Sequence, residues 1–226
     1  MKNLKIIIFI LLIIFPFPVF ASYEHFKVWD MSDGLSNNTV KSITQDHLGF
    51  IWLGTFDGLC KFDGVDFTIF RHDLQDSLSI INNHVEVVAS VRDELWVGTK
   101  QGLNLYSYKE NNFRLCEWIL PTGERQKITE SIKNIVVNQG NVFVLTFSHE
   151  LLVRKKGCVF EPCDYKKNIE WLSISGYKEG LLIGHATDGL YVIDPDEMGI
   201  RAHFPFDSKI LSDCLYYSAN KDMIFL

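Results

Sequence analysis

An internal repeat restricts the possible folds of this chain more than any other feature of its sequence. Four segments share one pattern: IWLGT at 51–55, LWVGT at 95–99, VFVLT at 142–146 and LLIGH at 181–185. Their second residues are separated by 44, 47 and 39 positions, and Ile224 in the segment MIFL follows after a further 42. A unit of this length cannot bury a core alone, so the fold has to be built from stacked units.

The residues around each repeated segment predict four short strands per unit. An apolar segment such as VKSITQ at 40–45 or VEVVASV at 85–91 comes before it, and GLCKFD or GLNLYS comes after it. The last segment of each unit carries an aromatic residue: Phe67, Phe113, Phe160 and Phe204. The intervening turns are rich in Gly, Asn and Asp, and glycines 58, 102 and 189 suit positions with a positive φ.

Several of these strands are apolar on both faces, which is typical of a sheet that lies between two other sheets. Radial stacking of small four-stranded sheets gives a propeller. We therefore predict an all-β fold, a β-propeller of four-stranded antiparallel blades. About four and a half blades are present, because the sequence given ends within the fifth unit. The segment at about 23–29 is expected to be a further strand, unpaired or paired with a partial blade.

Residues 33–70 closely resemble the two-component-regulator propeller repeat. The resemblance rests on the Gly-Leu-Ser start at 34–36, the Asp46-x-x-Gly49 turn, Ile-Trp-x-Gly-Thr at 51–55 and the following Gly-Leu. The second unit keeps LWVGT and QGLNLY. The later units depart from the pattern at three positions, with Leu145 in place of Gly, Leu182 in place of Trp and His185 in place of Thr.

The resemblance implies a function for residues 22–226 as the N-terminal part of an extracytoplasmic sensor. Such a sensor belongs to a hybrid histidine kinase of the Bacteroidota type and is expected to recognise an oligosaccharide. It implies that the rest of the polypeptide includes a membrane-spanning kinase and that the full-length receptor is a homodimer. Kinase activity, if any, is expected beyond residue 226, and none within this segment.

The first 21 residues have the pattern of a secretory signal peptide. Lys2 and Lys5 precede an apolar run from Ile6 to Phe15, and Ala21 is a suitable residue before a cleavage site. The apolar run is shorter than the about 20 residues that a membrane-spanning helix needs. We therefore expect export, and the resemblance to the sensor family implies that the exported part lies on the periplasmic side of the inner membrane. Net charge is −6 and there is no basic run, so nucleic acid is an unsuitable partner.

The candidate chemistry of the sequence is sparse. The seven histidines share no metal-ligand spacing, and the five cysteines contain no Cys-x-x-Cys, so we expect no metal site and no cofactor. In an exported protein, four of the cysteines could pair in disulfides. Glycoside cleavage needs two converging carboxylates, for which Glu86 and Glu170 are candidates, although a solvated or turn-bound role is favoured for both. We expect no catalytic residue.

Two alternatives to the sensor hypothesis stay open, a propeller polysaccharide hydrolase or lyase and a non-enzymatic scaffold for protein association. In a propeller, repeated residues serve blade packing, and a site is built from residues that do not repeat. Trp52 and Trp96 are therefore assigned to packing between blades. The recurring pairs Asn37-Asn38 and Asn82-Asn83 are assigned to turn capping. Trp118 does not repeat and is the candidate binding residue, in a loop between the second and third blades.

Overall fold

The computed structural model describes residues 26–120, 122–163, 169–178, 182–194, 199–206, 216–218, 221 and 223–225. The predicted signal peptide and residue Cys214 lie outside these ranges. In the described residues the regular elements are a single-turn 3-10 helix, Met31–Asp33, and twenty β-strands. None of the described helical residues belongs to a helix that is long and apolar enough to cross a membrane.

The strands form successive antiparallel sheets along the chain. Blade 1 contains β1 (Val40–Gln45), β2 (Ile51–Thr55), β3 (Gly58–Phe62) and β4 (Phe67–Phe70). Blade 2 contains β5 (Val85–Val91), β6 (Glu94–Thr99), β7 (Gly102–Ser107) and β8 (Asn112–Leu115). Blade 3 contains β9 (Glu117–Ile119), β10 (Arg125–Lys127), β11 (Ile132–Asn138), β12 (Asn141–Thr146), β13 (Leu151–Lys156) and β14 (Val159–Pro162).

Blade 4 contains β15 (Trp171–Gly176), β16 (Leu182–Ala186), β17 (Gly189–Asp194) and β18 (Gly199–Pro205). A hairpin follows, formed by β19 (Tyr216–Ser218) and β20 (Met223–Phe225). One edge strand of each blade lies beside that of the next, with β1 next to β5, β5 next to β11, β11 next to β15 and β15 next to β19 of the hairpin. This order confirms the predicted propeller, in which each blade stacks on the next.

Large buried side chains fill the space between neighbouring blades. Trp52 packs in one cluster with Val85 of the next blade, and Trp96 packs in a second cluster with Ile132. A third cluster joins Phe143 of blade 3 to Trp171 of blade 4. The prediction that Trp52 and Trp96 serve packing between blades is therefore confirmed, and burial of such rings is the main source of stability in the stack.

A glycine is required at the start of the third strand in the first two blades. Gly58 and Gly102 have φ values of +124° and +136°. A Cβ atom at Gly102 would lie 2.3 Å from the carbonyl oxygen of Ile128. Both the backbone conformation and this close approach to neighbouring backbone exclude a larger residue at position 102.

The third sheet differs from the prediction of four strands per blade. It has six strands in the order β10-β9-β14-β13-β12-β11, and β9 pairs with β14 in parallel. The outer strand of an antiparallel blade exposes unpaired backbone N–H and C=O groups, and a short extra hairpin can satisfy them. Blades 1, 2 and 4 have the predicted four strands.

The segment before blade 1 does not form the strand that was predicted for it. Residues 26–29 have no regular secondary structure, so the predicted strand is wrong for this part, and residues 23–25 lie outside the described ranges. Trp29 instead packs edge-on against Phe62 and Phe67, with ring centroids 4.8 and 5.8 Å away. These side-chain contacts hold the segment against the outer strands of blade 1 without a backbone ladder.

Candidate functional site

The candidate residue Trp118 lies in a strand and not in a loop as predicted. It is the central residue of β9, where it pairs with Gln126 of β10 and with Phe160 of β14. Gly123, with a φ of +86°, lies in the turn between β9 and β10, and its N–H donates to Leu120 at 2.8 Å. The sequence Pro-Thr-Gly at 121–123 is a turn signal that could have indicated this hairpin.

Trp118 lines a small cleft between the β9–β10 hairpin and the body of blade 3. The cleft has a volume of about 100 Å³, and its floor is formed by the buried residues Ile128, Thr146 and Leu152. Trp118 is half-buried, because one part of its indole packs against the cluster around Trp96. A rigid aromatic ring therefore forms one wall of an open site.

Polar side chains without partners surround the mouth of this cleft. Gln126, Lys127 and Thr129 are exposed, and their side chains make no hydrogen bond or ion pair with other described residues. The Glu130 carboxylate, in contrast, accepts a hydrogen bond from the Ser148 hydroxyl. The site combines one aromatic wall with an amide, an ammonium and a hydroxyl group that are free to bind a ligand.

A larger cleft of about 340 Å³ lies at the junction of blades 1 and 2. Its aromatic residues belong to the packing of the blades, since Tyr106 is buried and Tyr108 packs against Trp52. Burial, reinforced by the nearby Asp46 carboxylate, raises the pKa of Tyr106.

Two of the charged residues that line this larger cleft, Glu94 and Arg114, already have partners. Arg114 Nη2 forms an ion pair with Glu110 Oε2 at 2.7 Å. Glu94 Oε2 forms an ion pair with Arg154 Nη1 at 2.5 Å. The Tyr106 hydroxyl donates to Asn111. Asp93 and Lys109, which also line this cleft, are exposed, and their side chains make no hydrogen bond or ion pair with other described residues.

The carboxylate candidate Glu86 lies in an ion-pair cluster between the first strands of blades 1 and 2. Its Oε2 is 3.5 Å from Lys41 Nζ, and its Oε1 is 3.2 Å from His84 Nε2. Burial lowers the pKa of His84; Glu86 opposes this shift, while Lys100 and Lys41 reinforce it. Glu170, the other candidate, is exposed immediately before β15. The contacts of Glu86 are those of a structural ion pair.

The recurring asparagines have the predicted capping role. Asn37 and Asn82 accept hydrogen bonds from the N–H groups two residues further along the chain, both at 2.8 Å. Asn38 accepts from the N–H of Met31 at 3.0 Å, and Asn83 from that of His72 at 2.6 Å. Among the described residues, no group of three His, Cys, Asp or Glu side chains is arranged to hold a metal ion.

Comparison with known proteins finds a match to a family model within the first blade. The family model described as "Two component regulator propeller" matches residues 34–57. Over 55 residues, or 24% of this chain, the sequence is 51% identical to Histidine kinase P4 of Formosa agariphila. These residues correspond to 4% of that kinase. The resemblance to two-component-regulator propeller repeats is confirmed.

Solved structures with the same fold include extracellular domains of one component and two component systems. The extracellular domain of a hybrid two component system from B. thetaiotaomicron matches with a TM-score of 0.65 and 22% identity, over 88% of this chain and 31% of that one. The extracellular domain of a one component system from the same organism matches with a TM-score of 0.65 and 16% identity, over 89% of this chain and 30% of that one. The chain thus spans about a third of the length of these domains, and the likeness shows their fold.

Proposed function

We propose that this chain is an extracytoplasmic ligand-sensing β-propeller of a two-component receptor with a hybrid histidine kinase, and that its ligand is an oligosaccharide. The observation that carries the sensor assignment is the two-component-regulator repeat in blade 1. The fold supports it, because extracellular domains of two-component systems have it. The protein is exported to the periplasmic side of the inner membrane, and the remaining polypeptide supplies a membrane-spanning kinase that acts as a homodimer.

The cleft beside Trp118 supports an oligosaccharide as the ligand. A sugar ring has an apolar face that packs on an indole and a rim of hydroxyl groups that form hydrogen bonds. Gln126, Lys127 and Thr129 provide such hydrogen-bonding groups beside the Trp118 ring. A volume of about 100 Å³ is small beside the roughly 300–1,000 Å³ of typical ligand pockets. The cleft therefore takes one edge of a sugar, and adjoining sugar units lie over the exposed surface.

This proposal is tested by calorimetric titration. The whole extracytoplasmic region is titrated with each member of a panel of oligosaccharides. Trp118→Ala should weaken binding roughly fivefold, since loss of an aromatic contact of this kind costs about 1 kcal/mol. Trp29→Ala is the matched control, because Trp29 is also half-buried but packs on blade 1. Equal affinities of the Trp118→Ala variant and the unaltered protein would contradict the assignment of the site.

The same preparation separates the alternative functions. An enzyme would cleave a polysaccharide, either by hydrolysis or by elimination. Loss of that cleavage in the Glu86→Gln variant would overturn the sensor proposal. If the region binds none of the sugars but binds a protein partner, it is instead a scaffold for protein association. The sensor proposal expects sugar binding without turnover and no effect of Glu86→Gln on signalling by the full-length receptor.

A further inference from the structure

Cys116 and Cys158 are 42 positions apart in sequence and adjacent in the fold. Cys116 immediately precedes β9 and Cys158 immediately precedes β14. These strands pair in parallel with Glu117 opposite Val159, so the preceding residues, the two cysteines, also lie opposite each other. The N–H of Glu117 donates to the carbonyl oxygen of Cys158 at 2.8 Å.

The backbone geometry at this position suits a disulfide. Neighbouring strands are separated by about 4.7–4.9 Å. Disulfides usually join residues whose Cα atoms are roughly 4.4–6.8 Å apart. The two side chains also face the same way, because both contribute to the apolar cluster around Trp96. A bond between them needs no rearrangement of the sheet.

The two thiols already contact each other, and their environments differ. Cys116 is fully buried and Cys158 is half-buried. Burial raises the pKa of the Cys116 thiol, and its interaction with Cys158 raises it further. The same interaction with Cys116 lowers the pKa of Cys158; burial opposes the shift, while Arg114 and Arg154 reinforce it. Cys158 is therefore the more nucleophilic and the more accessible of the pair.

The other described cysteines have different surroundings. Cys60 is buried in blade 1, where its thiol exchanges hydrogen bonds with the N–H and hydroxyl of Ser36. Cys163 packs against the cluster between blades 3 and 4, and its N–H donates to Leu151 at 2.7 Å. Neither belongs to the apolar cluster in which Cys116 and Cys158 meet.

We propose that Cys116 and Cys158 form a disulfide bond in the exported protein. The proposal rests on export, since disulfides persist in oxidising compartments such as the periplasm. The oxidant is a disulfide of low molecular weight or of an oxidised dithiol protein. The Cys158 thiolate attacks one sulfur of this oxidant, forms a mixed disulfide and releases one thiol. The Cys116 sulfur then attacks Cys158 Sγ, loses its proton and releases the second thiol.

The bond fastens the hairpin that carries the candidate ligand site. Cys116 is the residue between blade 2 and β9, and Cys158 belongs to the turn between β13 and β14. A covalent link at this point holds the parallel β9–β14 pair together, and Trp118 lies two residues after Cys116. The disulfide is thus a structural clamp for one wall of the cleft.

The direct test is a map of disulfides in the protein exported from cells, with free thiols blocked by N-ethylmaleimide before lysis. Trypsin releases Cys116 in peptide 115–125, and chymotryptic cleavage after Phe160 separates Cys158 from Cys163. The expected result is a covalently linked pair of peptides that contain Cys116 and Cys158. Alkylation of both thiols, or linkage of either to another cysteine, would overturn the proposal.

A second arm separates the pairing from export. Reduced purified protein is placed in a glutathione redox buffer, and the same linked peptides are expected. Their absence there would overturn the pairing whatever the compartment. Formation of the bond in the buffer, with free thiols in the chain recovered from cells, would show that the chain does not reach an oxidising compartment, which would contradict export and the disulfide that depends on it. Neither result depends on sugar binding.

Thermal unfolding provides a further readout with a matched control. The disulfide closes a loop of 42 positions. Reduction should therefore lower the melting temperature of the unaltered protein by on the order of 10 °C. Cys163→Ser, which removes another half-buried thiol of the same blade, should keep this sensitivity to reductant. Cys158→Ser should abolish it. A melting temperature that reductant lowers equally in Cys158→Ser and in the unaltered protein would contradict the proposal.

Discussion

Blades 1 and 2 have a tryptophan at the same position between blades, but the two indole N–H groups differ in their hydrogen bonding. Trp52 and Trp96 are both fully buried. Trp52 Nε1 donates to Asp46 Oδ2 at 2.7 Å. Trp96 Nε1 is buried without a hydrogen-bond partner among the described residues, although the guanidinium of Arg154 lies 5.3 Å from the centre of its ring. The packing position is repeated, while the polar contact is not.

The difference follows from the length of the turn before each tryptophan. Residues 46–50 connect β1 to β2, and the carboxylate of Asp46 also accepts the N–H groups of Leu48 and Phe50 at 2.9 and 3.0 Å. Only Arg92 and Asp93 connect β5 to β6. The carboxylate of the shorter turn, Asp93, is exposed and does not bind the Trp96 indole. A repeat thus preserves ring burial more strictly than it preserves hydrogen bonding.

The largest expected difference between the blades comes from replacing each indole by phenyl. Trp52→Phe should cost about 2–4 kcal/mol, because Asp46 loses a charge-assisted hydrogen bond and the ring becomes smaller. Trp96→Phe should cost less than about 1.5 kcal/mol, since it also removes a buried N–H without a partner. Urea unfolding of the two variants measures the difference. Equal losses would show that the Asp46 contact contributes little.

The alanine variants are the control for ring size. Trp52→Ala and Trp96→Ala should each cost roughly 3–5 kcal/mol, since both remove a fully buried aromatic side chain. A large gap between these two costs would mean that the packing differs as well as the hydrogen bonding.

A smaller effect is expected from the charge of Asp46. Burial opposes ionisation of this side chain, but hydrogen bonds from Trp52, Leu48 and Phe50 outweigh it, so the pKa of Asp46 lies below its ordinary value. In the unfolded chain the group titrates at about 3.9. The stabilising effect of the carboxylate is fully present above that pH and is lost as the pH falls through the lower folded pKa.

The corresponding experiment compares Asp46→Asn with the unaltered protein near pH 7 and at about pH 3. The variant should be less stable by about 1–2 kcal/mol near neutrality, and the difference should shrink in acid. Asp93→Asn is the control, because Asp93 is an exposed carboxylate in the corresponding turn of blade 2. A difference that grows in acid would contradict the assigned direction of the Asp46 pKa.

The smallest effect concerns the backbone of the short turn in blade 2. Arg92 has a φ of +53°, a conformation that costs a residue with a Cβ atom more than it costs glycine. Arg92→Gly should therefore stabilise the protein by roughly 0.5–1 kcal/mol in chemical unfolding. Gly49→Ala in the longer turn of blade 1, where φ is +90°, should do the reverse. Destabilisation by Arg92→Gly would indicate that the Arg92 side chain makes a contact of greater value than the strain.

The sequence alone determined the repeated part of this protein. Strand positions, the burial of Trp52 and Trp96 and the capping by the paired asparagines were all predictable, because each blade solves the same packing and turn problem with the same residue types. The fold is therefore encoded several times along the chain, and drift in a later blade, such as Leu145 in place of glycine, does not obscure it.

Only the tertiary structure decided the features that occur once. The β9–β10 hairpin has two three-residue strands, which are too short to show a period, and its place is set by the free edge of β14. The contact between Cys116 and Cys158 and the cleft beside Trp118 depend on that same parallel pairing. The Pro-Thr-Gly sequence at 121–123 indicates a turn. It does not indicate which strand the hairpin joins, because segments distant in sequence meet there through backbone hydrogen bonds that almost any residue can form.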